Sequence, residues 1–222
     1  MVTGAPVVAA LAMGLVGAAP KAVALAVGGY LVAAGLAVAL MRRGYPHDAL
    51  GLCNLATLAR LGLTAVLLAP PLAPLLAAAS GWAVVAVALV AFSLDGVDGW
   101  LARRERLVSE FGARFDMEVD AALGLILALN AWASGTVGAA VLLLGLPRYA
   151  FIAAARVLPW MSRPLPERFG RKVVCVVQIA ALIALQMPVV VGPVAAALVL
   201  GAAAALCWSF GRDLLWLWQR RS

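Results

Sequence analysis

The stretch Asp95-Gly96-Val97-Asp98-Gly99-Trp100-Leu101-Ala102-Arg103 is followed, after eight residues, by Gly112-Ala113-Arg114-Phe115-Asp116-Met117-Glu118-Val119-Asp120. Residues 95–120 hold seven of the ten acidic side chains in a chain of 222 residues. On a helix, which turns by about 100° per residue, Asp95, Asp98 and Ala102 share one face, and Gly112, Asp116 and Asp120 share one face of the next. Two antiparallel helices then point four carboxylates into one small space. Glu118 lies off that face by roughly 160° to 200° and is left out of the set. A solvated loop between helices accounts for Glu105 and Glu110, which neighbour Arg103, Arg104 and Arg106. It does not account for Asp116 and Asp120, which open an apolar run.

The solvent around this cluster is set by composition. With 65% hydrophobic residues, 12% charged residues and a mean hydropathy of +1.04, the chain reads as an all-α, polytopic helix bundle in a membrane. Runs long enough to span a bilayer as helix occur at 5–19, 22–41, 54–70, 74–94, 112–133, 137–159, 172–187 and 191–211. Pro20-Lys21 parts the first run from the second, so a hairpin, a surface helix and one bent segment all stay open there. Residues 1–41 are read as an N-terminal extension of one or two spans and residues 42–222 as one membrane domain with short loops.

Lysine and arginine in short loops mark the cytoplasmic side. Arg42 and Arg43, then Arg103, Arg104 and Arg106, then Arg163, Arg168, Arg171 and Lys172, then Arg212, Arg220 and Arg221 occupy alternate span ends. The stretches at Pro70-Pro71, Ser134-Gly135 and Pro188 to Pro193 carry no charge. The alternation places the acidic stretch at the cytoplasmic face, with a bacterial inner membrane as the expected location. The net charge of +7 is thereby explained by anionic headgroups, and nucleic acid is not an expected partner. Trp82 and Trp132 toward one face, and Trp160, Trp208, Trp216 and Trp218 toward the other, fit interfacial belts.

Other chemistries find little support. His47 stands alone as the chain's histidine and reads as solvated. Cys53, Cys175 and Cys207 are scattered and read as small core residues. No phosphate-binding G-x-x-x-x-G-K-[ST] loop and no G-x-G-x-x-G turn is present.

Four carboxylates in a bilayer repel or take up protons unless cations sit among them. Two hard divalent cations, Mg²⁺ or Mn²⁺, suit an all-oxygen set. Such a pair grips a diphosphate and neutralises a leaving phosphate, so the cluster reads as a site for breaking a phosphoanhydride. Arg148 falls near the middle of its run and Arg156 eight residues on, on the same side of a helix. With Arg114, Arg171 and Lys172 they are candidates to hold a phosphate on an acceptor substrate.

The pattern D-x-x-D-G-x-x-A-R, eight residues, G-x-x-x-D-x-x-x-D resembles the signature of the CDP-alcohol phosphotransferases, and Asp95, Asp98, Gly99, Ala102, Arg103, Gly112, Asp116 and Asp120 fill every fixed position. Asn54, Thr57 and Arg60 match the family's N-x-x-T-x-x-R segment, with Cys53 where proline is frequent. Lys172 and Gln178 match residues of glycerophosphate-using members, with Arg171 in place of the usual glycine. The resemblance implies a six-helix core over about residues 54–211, usually a homodimer. It implies Asp95, Asp98 and Asp116 as metal ligands, and Asp120 as both metal ligand and general base. Asn54, Thr57, Gly99, Ala102, Arg103 and Gly112 would bind the CDP donor. The implied reaction moves a phosphatidyl group from CDP-diacylglycerol to a hydroxylated acceptor and releases CMP. Glycerol 3-phosphate is the first expectation for that acceptor, because of Lys172 and Gln178. Inositol phosphate, a phosphatidyl lipid, serine and choline stay open. An intramembrane prenyltransferase would place its aspartate pairs in widely separated spans, and a divalent-cation transporter leaves the spacing of Gly99, Ala102 and Arg103 unexplained.

Overall fold

The computed structural model describes residues 4–47, 51–72, 77–163, 165 and 169–220. Asp48, Arg168, Arg221 and the beginning of the run at 74–94 lie outside the described residues. The described residues form α-helices and short 3₁₀ turns, with no strand among them. The helices are α1 (Gly4–Val16), α2 (Pro20–Gly44), α3 (Gly51–Val66), α4 (Ala77–Glu105), α5 (Glu110–Ala133), α6 (Leu142–Gly145), α7 (Pro147–Val157), α8 (Phe169–Ala184) and α9 (Gly192–Gln219). The all-α membrane bundle read from composition is the architecture found. Helices α2, α4 and α9 are long and apolar enough to cross a bilayer. Helix α5 has the length as well, but its first turns carry the carboxylates.

The structure selects one of the N-terminal alternatives and breaks one expected span. The N-terminal pair is a hairpin: Gly17 turns the chain in the left-handed region at φ 62°, and Pro20 opens α2 at a position where a missing N–H costs nothing. The apolar run at 137–159 is not one straight span. It breaks between α6 and α7, where the two pieces bend by 66°. Pro147 is the cause, since its ring cannot continue the helix of Leu142–Gly145 and is well suited to start another. The break leaves carbonyls at the end of α6 without helical donors, and the Gln178 side-chain amide of α8 donates to Leu144 O. Gly145 is required at the same corner, because a Cβ there would lie 2.6 Å from Leu125 Cα of α5.

Side-chain amides fix the register of the core helices, which in a membrane replaces the missing hydrophobic drive. Buried Asn130 of α5 donates to Leu67 O beyond α3 at 2.8 Å, and Gln186 after α8 donates to Leu127 O of α5 at 3.0 Å. Near the other end, Arg60 of α3 reaches Asp116 and Asp120 of α5, and a Cβ on Gly124 of α5 would touch Ile179 of α8. Helices α3, α5 and α8 therefore run parallel, and their N-terminal ends gather the charged residues. The interior between them is a continuous apolar core that includes Val66, Leu67, Ala88, Leu123, Leu127 and Leu182.

The turn joining the two acidic helices is tightly specified. Helix α4 ends with Leu107 N–H on Ala102 O at 3.0 Å and Arg106 N–H on Arg103 O at 3.4 Å, and Arg106 takes φ 57°. Glycine normally fills that left-handed position, so arginine there costs about 1–2 kcal/mol. Ser109 then caps α5, its Oγ accepting from Gly112 N–H at 3.0 Å. Glu105 is more than a solvated loop residue: its carboxylate accepts the N–H groups of Leu52 at 3.1 Å and Cys53 at 3.3 Å, and so caps the beginning of α3 from the end of α4. His47 is half-buried rather than solvated, its ring edge-on to Tyr45 at 5.3 Å. Of the cysteines only Cys53 is in the core; Cys175 and Cys207 are exposed on the bundle surface.

Candidate active site

The helical spacing of the aspartates is realised in space. Asp95 and Asp98 of α4 face Asp116 and Asp120 of α5, and one oxygen each of Asp95, Asp98 and Asp116 lie within 4.8 Å of one another. Asp98 is buried, while the other three side chains are a third to two-fifths exposed. The cluster is therefore closed on the α3 side and open on the other, as a site that admits a ligand must be. Asp120 stands beside the triad rather than in it.

What the four carboxylates converge on is Arg60. Its Nη1 contacts Asp98 Oδ2 at 2.8 Å and Asp116 Oδ1; its Nη2 lies 2.9 Å from Asp95 Oδ1 and contacts Asp120 Oδ1. Its side chain is 1% exposed. The sequence pattern puts Arg60 in the N-x-x-T-x-x-R segment and gives it no role. Its signal was available, since an arginine inside an apolar run must find an anionic partner.

The residues expected to meet the CDP donor divide into two groups. Asn54 and Thr57 point into the protein: Asn54 donates to Tyr45 Oη at 2.8 Å, and the Thr57 hydroxyl, with a single proton to give, lies 3.0 Å from Asp98 Oδ2 and 3.1 Å from Cys53 O. Thr57 and Arg60 thus share Asp98. Gly99, Ala102 and Gly112 are half-buried and Arg103 is exposed; a Cβ at Gly99 would meet within 4 Å only Arg103 Nη1, at 3.6 Å. At Gly112 a Cβ would press on the capping Ser109 Oγ at 3.2 Å, so that glycine also serves the cap. The rings of Tyr45, Phe111 and Phe115 pack in sequence.

The five basic residues assigned to an acceptor do not converge. Arg114 is exposed and lies 3.5 Å from Glu110 on its own helix. Arg148, just past the α6–α7 bend, is paired with Glu118 of α5. Arg156 is exposed in the last turn of α7. Arg171 and Lys172 open α8, with Lys172 exposed and Arg171 held through Nε on Asp213 Oδ2 at 3.0 Å. Asp213 lies beyond the last apolar run, which ends at 211, whereas α9 continues to Gln219. It is 5% exposed, and its Oδ1 is buried without a partner. Cys175, one turn along α8 from Arg171, lies within electrostatic range of both Arg171 and Asp120. Gln178 is engaged with Leu144 O, as described above.

These positions make a membrane site with three carboxylate oxygens close enough to hold one cation, a fourth carboxylate beside them and Arg60 among them. No curated protein and no solved structure matches the chain. The family profile described as CDP-alcohol phosphatidyltransferase matches residues 50–209, from the beginning of α3 to within α9, and leaves α1 and α2 outside. With a match over most of its length, and with the aspartates brought together on α4 and α5, the chain belongs to the CDP-alcohol phosphatidyltransferase family.

Proposed function

We propose that the protein transfers a phosphatidyl group from CDP-diacylglycerol to a small hydroxylated acceptor, with glycerol 3-phosphate the first candidate, and releases CMP. Family membership supports the coarser statement, transfer of a substituted phosphate group from a CDP-alcohol in phospholipid synthesis. The observation that carries the finer reading is the convergence of Asp95, Asp98, Asp116 and Asp120 on one point at the open end of the bundle.

The donor set fits a hard divalent cation: three carboxylate oxygens from two helices, within 4.8 Å of one another and with no nitrogen or sulfur among them. Asp95, Asp98 and Asp116 would hold Mg²⁺ or Mn²⁺, which supplies charge neutralisation for the donor diphosphate and its leaving group. In the reaction the acceptor oxygen bonds to the phosphorus that carries the lipid, the bond from that phosphorus to the CMP oxygen breaks, and the acceptor proton is lost. Asp120 takes that proton. It is the carboxylate outside the triad, two-fifths exposed, and on the side of α5 that neighbours α8. Gly99 and Gly112 leave the mouth open to the nucleotide, Arg103 offers it a cation, and Arg171 with Lys172 offers one to a phosphate on the acceptor.

A CMP-release assay on the purified protein in liposomes, with CDP-diacylglycerol and each acceptor in turn, tests this reading. Metal-dependent CMP release with one acceptor is expected, and no release with any of them rejects it. The charge alternation further puts the aspartate cluster on the cytoplasmic side. Ser134→Cys, at the uncharged end of α5, should react with a membrane-impermeant thiol reagent only from the opposite side, in a background where the native cysteines are replaced by serine. Labelling from the cytoplasmic side alone would reverse the orientation.

A further inference from the structure

We propose that Arg60 is a built-in counter-cation for the aspartate site, holding the four carboxylates together while no divalent cation is bound and yielding contacts when one enters. The proposal rests on the metal-binding reading given above. Among the described residues, the ion pairs made by Asp95, Asp98, Asp116 and Asp120 all go to this one guanidinium.

The geometry of those contacts matters more than their number. Nη1 takes Asp98 from α4 and Asp116 from α5; Nη2 takes Asp95 from α4 and Asp120 from α5. Each nitrogen therefore ties the two acidic helices together, which is the task a bridging cation would perform at the same place. The triad oxygens able to hold a metal belong to three of the same aspartates. Arg60 and an incoming cation draw on one set of carboxylates.

Arg60 cannot leave that competition by losing its proton, because a guanidinium stays charged under any ordinary condition. A lysine could be neutralised in such surroundings, and a solvated arginine would have water to turn to. Here the side chain is 1% exposed and its Nε is buried without a partner, so among the described residues the group is held at its two terminal nitrogens by the four carboxylates. Bringing in a divalent cation must cost some of those contacts. Removing Arg60 must in turn leave four carboxylates to repel one another whenever metal is absent.

Both consequences are measurable without turnover. The full-length protein in detergent is titrated with Mn²⁺, following the free ion by electron paramagnetic resonance, and its thermal unfolding is recorded with Mn²⁺ and with EDTA. R60M should bind Mn²⁺ about 10-fold more tightly than wild type, the scale of one hydrogen bond to a charged group. It should also lose more thermal stability on passing from Mn²⁺ to EDTA than wild type does. A charge that merely sits nearby would give the first effect without the second, and a purely structural arginine would give weaker Mn²⁺ binding. Either pattern overturns the proposal, as does unchanged binding. Should R60M not fold even with Mn²⁺, R60K decides: it keeps one charge but loses the fork, so it should retain folding with metal and show the enlarged EDTA effect, and an effect equal to that of wild type rejects the idea. If neither wild type nor the Arg60 variants bind Mn²⁺, the metal-binding reading itself falls; if wild type binds Mn²⁺, Asp98→Asn weakens that binding and R60M leaves it unchanged, only the role of Arg60 falls.

Discussion

Asp120→Asn slows CMP release by at least ~100-fold, the lower end of what removal of a general base costs, while Mn²⁺ and the CDP donor still bind. The substitution preserves size and one carbonyl oxygen but removes the group that accepts the acceptor proton. Binding should survive because the triad of Asp95, Asp98 and Asp116 forms without Asp120. Asp98→Asn is the informative contrast. Asp98 is buried against Thr57 and Arg60, so neutralising it should weaken Mn²⁺ binding and unfold the protein at lower temperature together with the loss of activity. Turnover close to wild type in Asp120→Asn would remove that residue from the chemistry. A parallel loss of metal binding and activity in that variant would make Asp120 a ligand first, and leave the base unassigned.

The convergence of the aspartates was legible because helical periodicity fixes which residues share a face, and a short turn between two helices leaves them little freedom in how those faces meet. Segregation of charge to alternate ends was legible for a similar reason: it is a property of order along the chain. What occupies the space between two faces is not. Arg60 is 35 residues before Asp95 in the chain, and nothing in its local pattern says that it enters the aspartate cluster and not some other polar pocket. The bend at Pro147 was visible as a proline, yet the unbroken apolar run around it concealed that α6 would stop at Gly145, two residues before it, and that the chain would turn there by 66°. Asp213 was missed because hydropathy ends a span where charge begins, whereas α9 runs on to Gln219 and buries that carboxylate against α8. Glu105 was read as a loop charge, since a cap that comes from a different helix leaves no mark in the capped helix's own sequence.

Arg171→Ala raises the apparent KM for a phosphorylated acceptor by roughly 10-fold to 150-fold, the loss of a charge-assisted hydrogen bond of about 1.5 to 3 kcal/mol, and leaves that for CDP-diacylglycerol nearly unchanged. Arg171 begins α8, one turn from Cys175, which lies within electrostatic range of Asp120. Its Nε is held on Asp213 Oδ2 at 3.0 Å, which orients a guanidinium whose planar fork matches a phosphate. Arg171→Lys should recover only part of the loss, because an ammonium cannot reproduce that fork. Asp213→Ala, which keeps the charge of Arg171 but removes what holds it, should raise the same KM by less. Arg148→Ala, measured beside these, should have the smaller effect of the two arginine deletions. Arg148 is already committed through Nε and Nη2 to Glu118, so a phosphate would have to displace that carboxylate before it gained anything. The reverse ranking would move the acceptor phosphate to the α5–α7 side of the site. Equal losses for acceptor and donor in Arg171→Ala would mark a packing defect, and no loss in either arginine variant would favour an acceptor without a phosphate, such as serine or choline.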